Sequence, residues 1–223
     1  MRFGSEKRAI VFYCALAAAG IFLTIGGNAR GDIIRVDMNG EVISVVDPMG
    51  LLGGQISVYD EMTGFYRFDT STPDSEPLNS NQGDYQQTTA GCGISLNING
   101  MLFASVTENM DVLIRVINDT DSKDSYLLNS TVNLPVAGDV TISSIRWQLE
   151  DGTGTALSSD ALVAATPWQW GSNVLEITFR GAGGGGRIEA FISYTEVVPE
   201  PASALMFSAG ALFIGLRRKR WSS

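Results

Sequence analysis

Asp119, Asp121 and Asp124 stand in the run Asn118-Asp119-Thr120-Asp121-Ser122-Lys123-Asp124, a spacing that offers several carboxylate oxygens to a hard cation such as Ca2+. Lys123 occupies what would be the fifth position of an EF-hand loop, the glycine of the sixth is missing, and no helical pattern flanks the run, so a solvated turn is favoured over a calcium site. Trp168 and Trp170 alternate in Pro167-Trp168-Gln169-Trp170-Gly171. In an extended segment both rings project the same way and could stack on the apolar faces of a saccharide; core or rim packing is the competing reading. Cys92, between Gly91 and Gly93, is the only cysteine after residue 14 and so has no disulfide partner. Without a nearby base or fixed cation its thiol should titrate like a free one, as expected of a half-buried structural residue.

Several chemistries lack their parts. The chain has no histidine, which removes Ser-His and Cys-His nucleophile activation and the commonest zinc and copper ligand sets. Glu150-Asp151 is a carboxylate pair, but glycoside hydrolysis requires a defined separation that adjacency in sequence does not supply. The glycine-rich run 181–186 leads into a strand pattern instead of the helix a phosphate cradle needs, and reads as a hairpin connection. No catalytic residues and no obligatory cofactor are expected. Residues 30–200 carry 23 acidic against 8 basic side chains, a net −15 where the whole chain has −9. Nucleic acid needs clustered cations and is excluded as a partner.

The elements that would position these residues read as all-β. Alternating apolar runs predict strands at 33–38, 41–46, 64–68, 94–98, 101–106, 111–117, 139–149, 173–180 and 187–194. Asn39-Gly40 and Asn99-Gly100 fall between such runs and predict two-residue hairpin turns, because a type I′ turn requires positive φ at both central residues. The second hairpin would set Leu96 opposite Phe103 and Ile98 opposite Met101. Within 139–149 the apolar phase slips between Ile142 and Ile145, which predicts a bulge at Ser143-Ser144. Polar stretches 69–85, 118–125 and 181–186 read as rim loops. No repeat is present, so the expectation is one antiparallel β-sandwich over 30–197, with 196–199 as a short tether.

Both ends read as export or anchoring segments. Arg2, Lys7 and Arg8 precede an apolar run at 9–25, and Gly27-Asn28-Ala29 offers small residues to a signal peptidase. Residues 1–29 are therefore expected to be a signal peptide helix cut between Ala29 and Arg30, the alternative being an uncleaved anchor. At the other end, Val198-Pro199-Glu200-Pro201 precedes an apolar run at 202–216 and then Arg217, Arg218, Lys219 and Arg220. Each of those cations would cost about 2.5 to 3.5 kcal/mol at the bilayer centre, so a single transmembrane helix should stall with its basic end in the cytoplasm. Fifteen apolar residues span roughly 22 Å as helix, short of the ~30 Å hydrocarbon core. A marginal anchor suits a segment that is to be handed over and removed.

The order Pro199-Glu200-Pro201, apolar helix, basic cluster resembles the PEP-CTERM sorting signal of bacterial exported proteins. The resemblance implies that residues 198–223 are recognised by an exosortase, a membrane-embedded cysteine transpeptidase, in an envelope of Gram-negative type, often in a species that makes extracellular polysaccharide. The bland alternative is a plain tail anchor.

The middle of the chain resembles a β-rich domain of PEP-CTERM proteins through Val45-Val46-Asp47-Pro48, Gly64-Phe65-Tyr66-Arg67-Phe68-Asp69, Gly83-Asp84-Tyr85 and Ala156-Leu157-Ser158-Ser159-Asp160. That resemblance implies fold and destination and carries no activity. The expected protein is exported, held in the inner membrane as a precursor, then carried to the cell surface or extracellular matrix. There it would serve a structural or adhesive role with exopolysaccharide. A carbohydrate-binding module using Trp168 and Trp170 is the alternative, and a carboxylate-based polysaccharide hydrolase a distant third.

Overall fold

The computed structural model describes residues 32–108, 111–136 and 138–198. The segment carrying Ala29 and Arg30, the residues Pro199, Glu200 and Pro201, the apolar run and the basic cluster Arg217 to Arg220 lie outside the described residues, and so do the two expected flanking helices. Among the described residues no helix is long and apolar enough to cross a membrane.

Among the described residues, period-two alternation of apolar side chains builds ten strands: β1 Ile33–Val46, β2 Glu61–Asp69, β3 Gln82–Gln87, β4 Gly93–Ile98, β5 Met101–Ala104, β6 Val112–Thr120, β7 Lys123–Ser130, β8 Thr141–Asp151, β9 Ser172–Gly181 and β10 Gly184–Val198. A single turn of 3-10 helix, Pro167–Gln169, lies between β8 and β9. All pairings are antiparallel, and one sheet runs β3-β6-β7-β8-β9-β10-β1-β2-β4-β5. The all-β antiparallel expectation holds. The chain enters at β1 near the middle of the sheet and returns to it with β10, so its first and last strands pair along most of their length.

The sheet curls around one apolar core. Trp147 on β8 packs against Tyr66 on β2, with ring centroids 5.9 Å apart, although β9, β10 and β1 lie between those strands in the sheet. Tyr126 also meets Trp147 edge-on, with ring centroids 6.0 Å apart. The three rings are fully buried, and each such side chain contributes roughly 1.5 to 3 kcal/mol by leaving water. Curling also protects the sheet margins. Beyond β5, Val106 N donates to Val132 O and Leu134 N to Ala104 O, and on the β3 margin Ser75 N donates to Asp84 O at 2.8 Å.

Several expectations are met in detail. β4 and β5 form the Asn99-Gly100 hairpin with φ of 49° and 83°, pairing Leu96 with Phe103 and Ile98 with Met101. The register of β8 against β9 shifts between Ile142 and Ser144, the bulge that returns both apolar phases to the core. The connection between β9 and β10 is the glycine-rich hairpin.

Others are corrected. Asn39-Gly40 is no turn: β1 runs straight through it, pairing Asn39 with Thr63 and Gly40 with Met62. The glycine is there because β10 bulges against it, and a Cβ on Gly40 would stand 2.3 Å from the Phe191 carbonyl oxygen. The stretches 69–85, 118–125 and 181–186 are not wholly loop, since 82–85 belongs to β3, most of 118–125 to a β6–β7 hairpin, and 181 and 184–186 to β9 and β10. Nor are Glu196, Val197 and Val198 a tether. They continue β10 and pair with Asp37, Val36 and Arg35.

Candidate functional site

Between β8 and β9 the chain makes a long excursion over one end of the core, and a set of side-chain acceptors holds it there. The Asp151 carboxylate accepts from Thr153 N and Thr155 N, both at 2.9 Å, from Ala156 N at 3.1 Å and from the Thr153 hydroxyl. Those bonds hold its carboxyl well below the usual carboxylate range, the Thr155 amide contributing most. Asp124, buried on the neighbouring strand, accepts from Leu157 N at 2.8 Å with one oxygen and from Asp119 N at 2.9 Å with the other. Farther along, Tyr85 donates its hydroxyl to Asp160 O, and Ala165 is fixed on both sides by Tyr66 Oη accepting from its amide and Thr195 Oγ1 donating to its carbonyl.

The excursion does not collapse completely onto the core. Beneath it and the 3-10 turn lies a cavity of about 150 Å³, lined by Tyr126, the 156–159 and 163–166 segments, Gln169 and Trp170. None of the lining side chains is ionisable except the phenol of Tyr126. Burial pushes that phenol well above its ordinary pKa, and burial pushes Tyr66 up to about 12, so both remain neutral. One polar atom at the cavity, Trp170 Nε1, is buried without a hydrogen-bond partner, while the Tyr126 hydroxyl is hydrogen-bonded to the Tyr66 phenol.

Trp168 and Trp170 do not share a face. The segment is 3-10 helix through Gln169, where three residues complete a turn and positions two apart diverge. Trp168 is 70 % exposed, whereas Trp170 packs against the core. A flat platform of two parallel rings is replaced by one outward ring and one ring walling the cavity.

Asp119, Asp121 and Asp124 are likewise separated in role. Asp121 and Ser122, with φ of 55° and 59°, form the two-residue turn between β6 and β7, and Asp119, with φ of 56°, is the extra residue of a bulge beside it. Asp119 and Asp121 are exposed, while both oxygens of Asp124 are engaged by backbone amides. Among the described residues, no group of three or more His, Cys, Asp or Glu side chains is placed to hold a metal ion. Cys92 is buried more deeply than expected, and burial together with Asp69 pushes its thiol up to about 11 instead of leaving it near the free value. Glu150 and Asp151 point to opposite faces of β8, as neighbours on a strand must.

Tyr126 is the site residue that sequence reasoning missed. In Lys123-Asp124-Ser125-Tyr126-Leu127-Leu128-Asn129-Ser130 the inward positions are Asp124, Tyr126, Leu128 and Ser130. Polar residues at both ends of that inward set mask the alternation that would have revealed a strand.

No family model, no curated protein and no solved structure matches this chain.

Proposed function

We propose that this is an exported, non-enzymatic protein that an exosortase sorts through residues 198–223 to the cell surface or extracellular matrix, where it acts structurally or adhesively with exopolysaccharide. The observation that carries this reading is the order Val198-Pro199-Glu200-Pro201, apolar run, Arg217-Arg218-Lys219-Arg220. Signal peptidase removes 1–29, the C-terminal segment spans the inner membrane as a single helix in the precursor, and between these helices the curled sheet packs as a β-sandwich. Because β10 runs to Val198, a domain held by this motif sits directly on its anchor, loaded through a strand end that is paired with β1. The excess of acidic side chains suits a hydrated polysaccharide layer. The role requires no cofactor and no nucleic acid.

The test separates the two halves of the signal. Pro199 and Pro201 fix φ near −65° and push Val198 and Glu200 towards extended backbone, keeping the motif out of the helix and available for recognition. Replacing Pro199, Glu200 and Pro201 with alanine should leave export intact and trap the full-length chain in the inner membrane. Replacing Arg217, Arg218, Lys219 and Arg220 with glutamine should instead let the short helix slip through and release uncleaved protein into the periplasm. An alanine-motif variant that reaches the surface with the wild-type C-terminus would overturn the sorting reading in favour of a plain tail anchor.

A second reading, carbohydrate binding involving Trp168 and Trp170, is favoured by the exposure of Trp168, since a large aromatic ring left in water suits a sugar face. It is compatible with an adhesive role.

A further inference from the structure

We infer that the cavity beneath the 3-10 turn is a binding site for one neutral sugar ring. This deepens the carbohydrate-binding reading and rests on it, while moving the site of recognition from the outward Trp168 to the inward wall formed by Trp170 and Tyr126.

The cavity has a mixed lining, polar groups set among Ala156, Leu157, Val163 and Ala164, where a void left by packing would be wholly apolar. Buried polar groups are hydrogen-bonded almost without exception, and each orphan costs free energy comparable to a lost hydrogen bond. Here one orphan belongs to a residue lining the cavity, the indole N–H of Trp170, and beside it the fully buried Tyr126 hydroxyl has the Tyr66 phenol as its hydrogen-bond partner. Ser158, Ser159, Thr166 and Gln169 add hydroxyl and amide groups to the same wall.

Size and charge narrow the occupant. A cavity of this volume, about 150 Å³, has room for one six-membered ring. With no cation in the lining, a carboxylate or phosphate would be buried unpaired at a large desolvation cost. A neutral ring bearing several hydroxyls satisfies the Trp170 indole N–H and offers further partners to the Tyr126 hydroxyl, as the end residue of a glycan would. The braces on 153–157, Asp160 and Ala165 fix the walls before binding, which limits the ordering cost.

The probes are methyl β-D-glucoside, methyl β-D-galactoside, methyl α-D-mannoside and N-acetylglucosamine, with glucuronate as the charged control. They are titrated into the full chain held in a sugar-free zwitterionic detergent and followed by proton–nitrogen NMR. At least one neutral glycoside should shift the Trp170 indole signal and the Ser158 and Gln169 amides saturably, with glucuronate at least tenfold weaker. Trp170→Phe removes a polar atom that has no protein partner, and Tyr126→Phe removes a hydroxyl whose protein partner is the Tyr66 phenol. Each should lower affinity roughly three- to tenfold, followed at the Ser158 and Gln169 amides, while Trp168→Ala changes it less than twofold. If Trp168→Ala abolishes binding and the two cavity variants bind as wild type does, the cavity proposal is wrong and the outer-ring reading stands. If no glycoside binds, or the cavity holds water alone in their presence, both fall.

Discussion

Asp124 and Asp151 face one another as a cross-strand pair of β7 and β8, and both carboxylates are turned to gathering backbone amides of the excursion that roofs the cavity. Like charges directly opposite on a sheet destabilise it; here the amide donors offset that repulsion and use the pair as a bracket. Asp124→Ala would leave Asp119 N and Leu157 N without their acceptor. The expected cost is about 1 to 3 kcal/mol in chemical denaturation, with Asp124→Asn costing less because one acceptor oxygen survives.

Acid should act through the carboxylates whose charged form the fold favours. Arg115 grips Asp84 with Nε at 2.7 Å and a terminal nitrogen at 2.5 Å and holds its carboxyl below the ordinary range, and Asp151 is held lower still by its amides. Because the folded pKa values lie below the unfolded ones, this stability is fully present above the ordinary carboxylate range near 3.9 and is lost as pH falls through the depressed values. Urea midpoints should be flat from neutral pH to about pH 5 and decline below it. Arg115→Met should cost about 1 to 3 kcal/mol at neutral pH, the lower part of that range reflecting the partial exposure of Arg115, and should make the acid decline shallower.

Alkali should act through the opposite sign. Burial raises Cys92 from 9.0 to about 11 and Tyr66 from 10.0 to about 12. The unfolded chain therefore loses these protons first, and stability present below pH 9 falls as pH rises towards 12. Thermal melts from pH 8 to 11 should show a falling Tm, with Cys92→Ala removing the earliest part of the decline.

Gly40 is held by a neighbouring strand and not by a turn. Gly40→Ala should force β1 and β10 apart at the Phe191 carbonyl and cost about 1 to 3 kcal/mol or more. Asn39→Ala, at an exposed position with no turn to lose, should stay within about 0.5 kcal/mol. Comparable losses for both variants in differential scanning calorimetry would restore the turn.

What the sequence revealed of the fold follows how local the cause is. The Asn99-Gly100 hairpin and the slip between Ile142 and Ser144 are legible because turn chemistry and alternation lie within a few residues. The identical dipeptide at Asn39-Gly40 misleads because its glycine answers to Phe191, far along the chain. The turn at Asp121-Ser122 is hidden because two non-glycine residues adopt positive φ there. β3 is hidden because its inward set, Gly83, Tyr85 and Gln87, holds a single large apolar side chain, while Asp84 lies on the opposite face beside Arg115. At the cavity the sequence singles out Trp170, but Tyr126 and the 156–159 wall meet it only through the curl of the sheet and the Asp124 and Asp151 bracket.

The central claim, that residues 198–223 are a sorting signal, is tested most directly by mass spectrometry of the protein recovered from the cell surface. The account predicts a chain that starts at Arg30 and ends at or near the Val198-Pro199-Glu200-Pro201 motif, with no peptide from 202–223. Recovery of a surface chain that retains Arg217, Arg218, Lys219 and Arg220 would contradict it.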